Sequence, residues 1–209
     1  MNFQMPITKR KITHHFQYAV WMYLILIILA LFGWNLIYTT TRYRPPENMR
    51  VEFYALASTN SEEPLTELSN RIHEEVMPEM ELVAPTIVTI TDDYYGDMQL
   101  TVWISAAQGD IYLLSTEYFD RFAASGAFMD LGPLVENGTL NAEGLDLDDG
   151  YVKQSDSNTV GLYGIPAEGL PKFADYMVNT DDMVLCILYN NGNDEYSIKY
   201  LNYLLETLR

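Results

Sequence analysis

With 209 residues, 29 acidic against 12 basic side chains and a formal charge of −17, the chain is long enough to bury a sizeable core, and too acidic for a nucleic-acid role. Every acidic residue lies beyond position 41, as do all basic residues except Lys9, Arg10 and Lys11; that part carries nine basic against 29 acidic groups, a formal charge of −20. Such a surface keeps a domain soluble, attracts cations and repels anionic headgroups, while the single cysteine, Cys186, excludes an internal disulfide.

The first predicted element is a membrane span. No formal charge occurs from Phe16 to Thr41, and Ala19 to Tyr38 reads AVWMYLILIILALFGWNLIY. As a helix, that stretch reaches ~30 Å, the thickness of a bilayer's hydrocarbon core. Asn35, near one end, is its one strongly polar side chain. The apolar run exceeds the ~7–15 residues of a signal-peptide h-region, and no small-x-small cleavage site follows. A core helix of a soluble domain would keep one polar face. The segment is therefore read as an uncleaved signal-anchor of a single-pass cell-membrane protein. Lys9, Arg10 and Lys11 precede it, while Arg42, Arg44 and Arg50 follow, so charge biases the N-terminus inward only modestly. Size points the same way, because the first 15 residues are too few to fold alone. Trp21, Tyr23, Trp34 and Tyr38 sit towards the two ends, where aromatic rings favour headgroups. The expected organisation is a cytoplasmic tail at 1–15, a transmembrane helix at 16–41, a linker at 42–49 and an extracytoplasmic α/β domain at 50–209.

Arg44-Pro45-Pro46 opens the linker, because proline cannot continue the helix. Met49 to Ala57 alternates and is rich in Val, Phe and Tyr, which predicts a strand. Thr59 and Glu62 are spaced as a capping box, and a helix follows with Leu65, Leu68, Ile72 and Val76 on one face until Pro78. Leu82 to Thr91 is β-branched and predicts a second strand, with Pro85 pointing to a sheet edge or a late start. Asp97 to Ala107 is strand-like by composition and helical by position; the helix is preferred. Asp110 to Ser115 is a third strand, and Tyr118, Phe119 and Phe122 lie on a helix that stops at Ser125-Gly126. Asp130 to Gly150 reads as acidic loop. Val160 to Ile165 is a fourth strand, broken by Pro166, and Met183 to Tyr189 a fifth. A turn at Asn190 to Asn193 precedes an amphipathic helix that buries Ile198, Leu201, Leu204, Leu205 and Leu208. Strands alternating with helices predict a single three-layer α/β lobe with a largely parallel sheet.

The stretch Ala107 to Val135, AQGDIYLLSTEYFDRFAASGAFMDLGPLV, resembles a signature region of extracellular solute-binding proteins of ABC importers, which have the type II periplasmic-binding fold. The resemblance rests on Gln108-Gly109-Asp110, the strand Ile111 to Ser115, the helix around Phe119, Gly126-Ala127-Phe128, and Leu131 with Leu134. Tyr163-Gly164-Ile165-Pro166 resembles the strand with which such proteins return towards their hinge. The resemblance covers most of residues 50–209 and implies a periplasmic-binding-protein-like lobe, a small solute as ligand and a transporter or other membrane protein as partner. The chain departs from the family in two ways. A membrane helix stands where the family has a lipid-attachment cysteine. Only 16 residues separate Pro166 from Met183, which leaves room for about one lobe where the family closes two.

In open parallel sheets, ligands gather at the carboxyl ends of strands, near helix N-termini. That edge is expected to hold Ser58, Thr59 and Asn60 after the first strand, and Ser115 and Thr116 after the third. Tyr118 and Tyr163 would supply stacking faces. The bland alternative makes these residues helix caps and surface aromatics. Asp146, Asp148 and Asp149 suggest calcium but fail EF-hand spacing, because Tyr151 stands where glycine is needed and Ser157 where glutamate is needed. Cys186, inside an apolar run, reads as a buried small hydrophobe. No cofactor, metal or nucleophile motif is present, so the reading is non-enzymatic: a membrane-anchored binding or interaction module, or alternatively a structural subunit of a membrane complex without a small-molecule ligand.

Overall fold

The computed structural model describes residues 9–56, 62–88, 94–155, 159–189 and 192–209, with the backbone alone at 9–18 and 94–95. Two units result, Met1–Arg44 and Pro45–Arg209. The first is built on α1 (Lys9–Thr41), so the expected tail is helical from Lys9 onwards. Its stretch Ala19–Thr41, 23 residues, is long and apolar enough to cross a membrane, and none of its most apolar window is buried by protein. Such a helix serves as either a signal or an anchor. Near its end the hydroxyls of Thr39, Thr40 and Thr41 donate to the carbonyls of Asn35, Leu36 and Ile37 at 2.9, 2.7 and 2.6 Å. These polar groups are thus satisfied within the helix, as a lipid surrounding requires.

The second unit is an α/β lobe. In chain order it contains β1 (Arg50–Leu56), α2 (Glu63–Val76), β2 (Leu82–Val88), α3 (Tyr94–Ser105), β3 (Ile111–Ser115), α4 (Thr116–Ala124) and α5 (Gly132–Glu136). Then come β4 (Tyr151–Lys153), β5 (Val160–Leu162), β6 (Ile165–Pro166), β7 (Met183–Ile187) and α6 (Asp194–Thr207). Among the described residues, the main sheet has the order β2-β1-β3-β7-β6. β1 runs parallel to β2 and β3, while β7 runs antiparallel to both β3 and β6. Four strands therefore point one way and β7 alone opposes them, a mixed and mostly parallel sheet.

The sheet separates two cores, and the alternation of its strands decides which side chain enters which. Val51, Phe53 and Ala55 of β1, Ile111 and Leu113 of β3, and Leu185 and Ile187 of β7 join Leu65, Leu68 and Ile72 of α2 and Tyr200, Leu201 and Leu204 of α6. On the opposite face Tyr54, Tyr112, Leu114, Val184 and Cys186 pack with Leu100 and Ile104 of α3 and Phe119 and Phe122 of α4. This is the three-layer arrangement. Strands buried on both faces must be apolar almost throughout, which is why MVLCI and IYLLS lack a polar face. Tyrosines contribute to both cores: Tyr54 and Tyr112 stack with centroids 5.1 Å apart, and the buried Tyr200 hydroxyl meets Ser69 Oγ at 3.1 Å.

Three local expectations need correction. α2 starts at Glu63, with Glu62 at its N-cap and no side-chain cap bond, so the capping-box reading started the helix too early. Pro64, which suits the first turn because it lacks an N–H, marks the true start; Thr59 lies outside the described residues. The expected strand Val160 to Ile165 is two strands. β5 pairs with β4 in a separate two-stranded sheet, and the chain crosses at Tyr163-Gly164 into the main sheet as β6. At that crossing a Cβ on Gly164 would run into Val184 and the Phe119 ring, so only glycine lets the backbone pass. The loop at 130–150 contains the short helix α5, with Leu131 fully buried beneath it. Pro85 lies in β2, an edge strand among the described residues, where a missing N–H is tolerated.

Candidate functional site

The carboxyl edge of the sheet is where β3 turns directly into α4. Ser115 has extended backbone angles and is the N-cap residue, yet its hydroxyl makes no cap bond. Thr116 donates through its backbone N–H (3.0 Å) and its hydroxyl (3.3 Å) to the carbonyl of Asp182, which precedes β7. The antiparallel register Ser115↔Met183 brings those two segments together. Tyr118 is half-buried, and one ring face lies under the Arg121 guanidinium, 5.1 Å from the ring centroid. Arg121 also covers Phe122 at 4.5 Å and pairs with Asp97 of α3 at 2.6 Å. Asp120, on the same helix, has its carboxyl raised above the usual range by partial burial and then by the nearby Asp149 and Asp182 carboxylates.

Two concavities open on this side of the lobe. One, of about 730 Å³, is bordered by Glu168, Pro171, Met177 and Asp181. The other, of about 220 Å³, is bordered by Asp146, Asp149, Pro166, Glu168 and Arg209. Pro166 ends β6 and Asp181 precedes β7, so both belong to the carboxyl half. Glu168 lines both. The smaller is acidic, with Glu143, Asp146, Asp149 and Glu168 beside one cation, Arg209, while the larger sets Glu168 and Asp181 among apolar Pro171, Met177 and Val178. Among the described residues no group of three or more His, Cys, Asp or Glu side chains is arranged to hold a metal. Asp146 instead accepts the Asp148 N–H at 3.1 Å, a local turn bond.

Of the residues expected here, Ser115, Thr116 and Tyr118 are brought together, but none lines either concavity. Ser58, Thr59 and Asn60 lie outside the described residues. Tyr163 is a correction. It lies between β5 and β6, where one strand was expected, is 5% exposed, and packs in the core on the α3/α4 side of the sheet, so it offers no open stacking face. Cys186 is fully buried, its thiol pushed up by that burial, and donates to the Tyr112 carbonyl at 3.7 Å. It is a core residue. Arg121, Asp182 and Glu168 have no counterpart in the sequence reading, and Asp97 figures there only as part of an unspecific acidic cluster with Asp92 and Asp93, which lie outside the described residues. Their partners are distant in the chain, and no local spacing announces them.

The amino edge is built differently. Asp110, 4% exposed, accepts the Glu52 N–H at 2.7 Å through Oδ2 and the Asn193 amide at 3.0 Å through Oδ1. Asn193 Nδ2 also donates to the carbonyls of Glu47 (2.7 Å) and Arg50 (2.8 Å). Gly109, at φ +76, lies so close to the Tyr54 ring that a Cβ would not fit. Tyr112 donates its hydroxyl to the Gln108 carbonyl. The Gln108-Gly109-Asp110 motif is therefore a piece of architecture. Burial pushes the Asp110 carboxyl up to about 6, against the lowering effect of its two hydrogen bonds.

No family profile matches the chain, and no curated protein matches it. Solved structures do resemble it over part of its length. An extracellular solute-binding protein family 1 member from Alicyclobacillus acidocaldarius is 20% identical, with 59% of this chain and 29% of that chain covered and a TM-score of 0.42. An ABC substrate-binding protein from Listeria monocytogenes in complex with cycloalternan is 18% identical, covering 55% and 28% at a TM-score of 0.40. A de novo designed esterase is 17% identical, covering 57% and 27% at 0.43. The chain spans less than a third of the length of each. The similarity to the two solute-binding proteins extends over a little more than half of this chain.

Proposed function

We propose that the chain is a membrane-anchored interaction module, held by residues 16–41 as an uncleaved signal-anchor, with its N-terminus cytoplasmic and the α/β lobe displayed outside the cell membrane. The observation that carries this reading is an apolar helix of 23 residues left uncovered by protein, followed by a lobe with two cores of its own. The lobe's acidity supports an aqueous setting away from anionic lipid. Binding takes place at the carboxyl edge, where the smaller, acidic concavity favours a ligand or protein partner bearing positive charge. The module is non-enzymatic and works beside a membrane-protein partner such as a transporter.

Two measurements test this. Protease added to intact cells digests the lobe if the orientation is right; complete protection overturns it. Full-length protein pulled down from solubilised membranes brings a membrane partner with it, and thermal shift against sugars, amino acids, peptides and cations finds a ligand. Stability unmoved by every ligand, combined with a stoichiometric membrane partner, decides for the second reading, a structural subunit. That reading is favoured by the exposed Met98 and Val102, one turn apart on α3, which offer an apolar contact surface.

A further inference from the structure

We propose that Asp110 and Asn193 form an ionisation-sensitive latch on the segment through which the chain leads into the lobe, closed most firmly while Asp110 is protonated. The inference concerns the lobe alone and stands whether or not the apolar helix spans a membrane.

The lead-in segment comprises Pro45 and Pro46, a 3-10 turn at Glu47–Met49 and the first residue of β1. One side chain, Asn193 at the start of α6, grips it at two carbonyls, those of Glu47 and Arg50. The same amide reaches Asp110, and Asp110 in turn holds the N–H of Glu52, the third residue of β1. Further along, the Met49 carbonyl accepts the N–H of Glu81 at 2.8 Å, so the segment also orders the approach to β2. Three chain regions thus meet at two buried side chains.

The donors that reach the Asp110 carboxyl, a backbone N–H and a side-chain amide, are both neutral. The cation beside it, Arg50, points its guanidinium at the carboxylates of Glu47 and Glu52, 3.8 Å from each. Tyr54 adds an uncharged phenol, and the first turn of α6 carries only further acids, Asp194 and Glu195, of which Glu195 is paired with Lys199. The two N–H donors and Arg50 favour the ionised carboxyl, but its burial, with Glu52 beside it, outweighs them and makes ionisation costly. The recess around it holds about 10 Å³, at the lower limit for a single water. Opening the latch admits solvent and removes that cost. Ionisation therefore leaves the closed latch less stable relative to the open one, and the pH at which this occurs lies near 6 in the folded lobe.

The test is hydrogen exchange on the full-length protein in detergent micelles from pH 4.5 to 7.5, corrected for intrinsic exchange rates. The reporting amides are Glu52 and Glu81. The expected result is roughly a tenfold or larger loss of protection at these amides across that range, starting from a protection lower than that of the core amides of β3, and no pH-dependent loss in Asp110→Asn. A flat profile in the unaltered protein overturns the latch. So does the same slope in Asp110→Asn, or protection at Glu52 and Glu81 equal to that of the β3 amides at every pH, which marks global opening. If Asp110→Asn does not fold, the carboxyl carbon of Asp110 is titrated by NMR in the unaltered protein. A midpoint near 6 shared by the Glu52 amide sustains the latch; a midpoint near 4 overturns it.

Discussion

The two edges of the main sheet use polar residues in opposite ways. At the amino edge, Asp110 and Asn193 are 4% and 5% exposed, and their hydrogen bonds go to other parts of the lobe. At the carboxyl edge, the carboxylates of Asp146, Asp149, Glu168 and Asp181 border open concavities, and Ser115, which lines neither, makes no cap bond. Buried polar groups are costly when unpaired, so they are fixed to one geometry. Solvated ones remain available to a ligand. The most motif-like residues of the chain, Gly109 and Asp110, therefore stabilise the lobe, while the surface proposed to meet a partner has no local signature.

This contrast makes graded predictions. Asn193→Ala has the largest expected effect, about 3 kcal/mol of lost stability, because it strands two backbone carbonyls and removes a donor from a buried carboxyl; chemical denaturation measures it, and a loss below about 1 kcal/mol would show that the amino edge is not a stabilising network. Next is the pH dependence. Because the folded Asp110 carboxyl titrates at about 6 against an ordinary 3.8, the folded lobe retains a proton that the unfolded chain has released between those values. Its contribution favours folding at low pH, fades as pH rises from about 4 to about 6, and is flat above. The change amounts to no more than about 3 kcal/mol, read as the difference between the pH–stability profiles of the unaltered protein and Asp110→Asn.

Gly109→Ala, which combines a positive φ with a clash against Tyr54, should cost about 2 kcal/mol. A loss under about 0.5 kcal/mol would mean that the ring moves aside. Arg121→Ala removes an ion pair to Asp97 and two ring contacts at partly exposed positions, so solvent screening limits the expected loss to roughly 0.5–1 kcal/mol. The smallest effect is expected for Ser115→Ala, within about 0.5 kcal/mol. A larger destabilisation there would erase the distinction between the edges.

Much of the fold was legible because its signals are local. The apolar stretch Ala19 to Tyr38, the helical spacing of Leu65, Leu68 and Ile72, and the β-branched run ahead of Val88 each declare their element within a few residues. Pro85 allows an edge strand or a late start, since a missing N–H is a local fact, and the edge position of β2 from Leu82 onwards decides for the first. The switch at Tyr163-Gly164 was not legible, because VGLYGI is apolar throughout and only its partners on β4 and β7 tell the two halves apart. Tyr163 was misread for the same reason: a tyrosine beside glycine looks like surface until Phe119 and Val184 close around its neighbour. The candidate site was legible only as an edge. Ser115 and Thr116 lie where the topology puts them, but Glu168, Asp181 and Asp182 join that edge through β6 and β7.

The sequence by itself determined the apolar helix, the acidity of the domain beyond that helix and the alternation of strands and helices, because hydropathy, charge and periodicity are properties of neighbouring residues. Tertiary structure decided the direction of β7, the strand switch, and the separation of a sealed amino edge from an open carboxyl edge. Those depend on hydrogen bonds and burial between residues as far apart as Glu47 and Asn193, where chain order carries no information about distance.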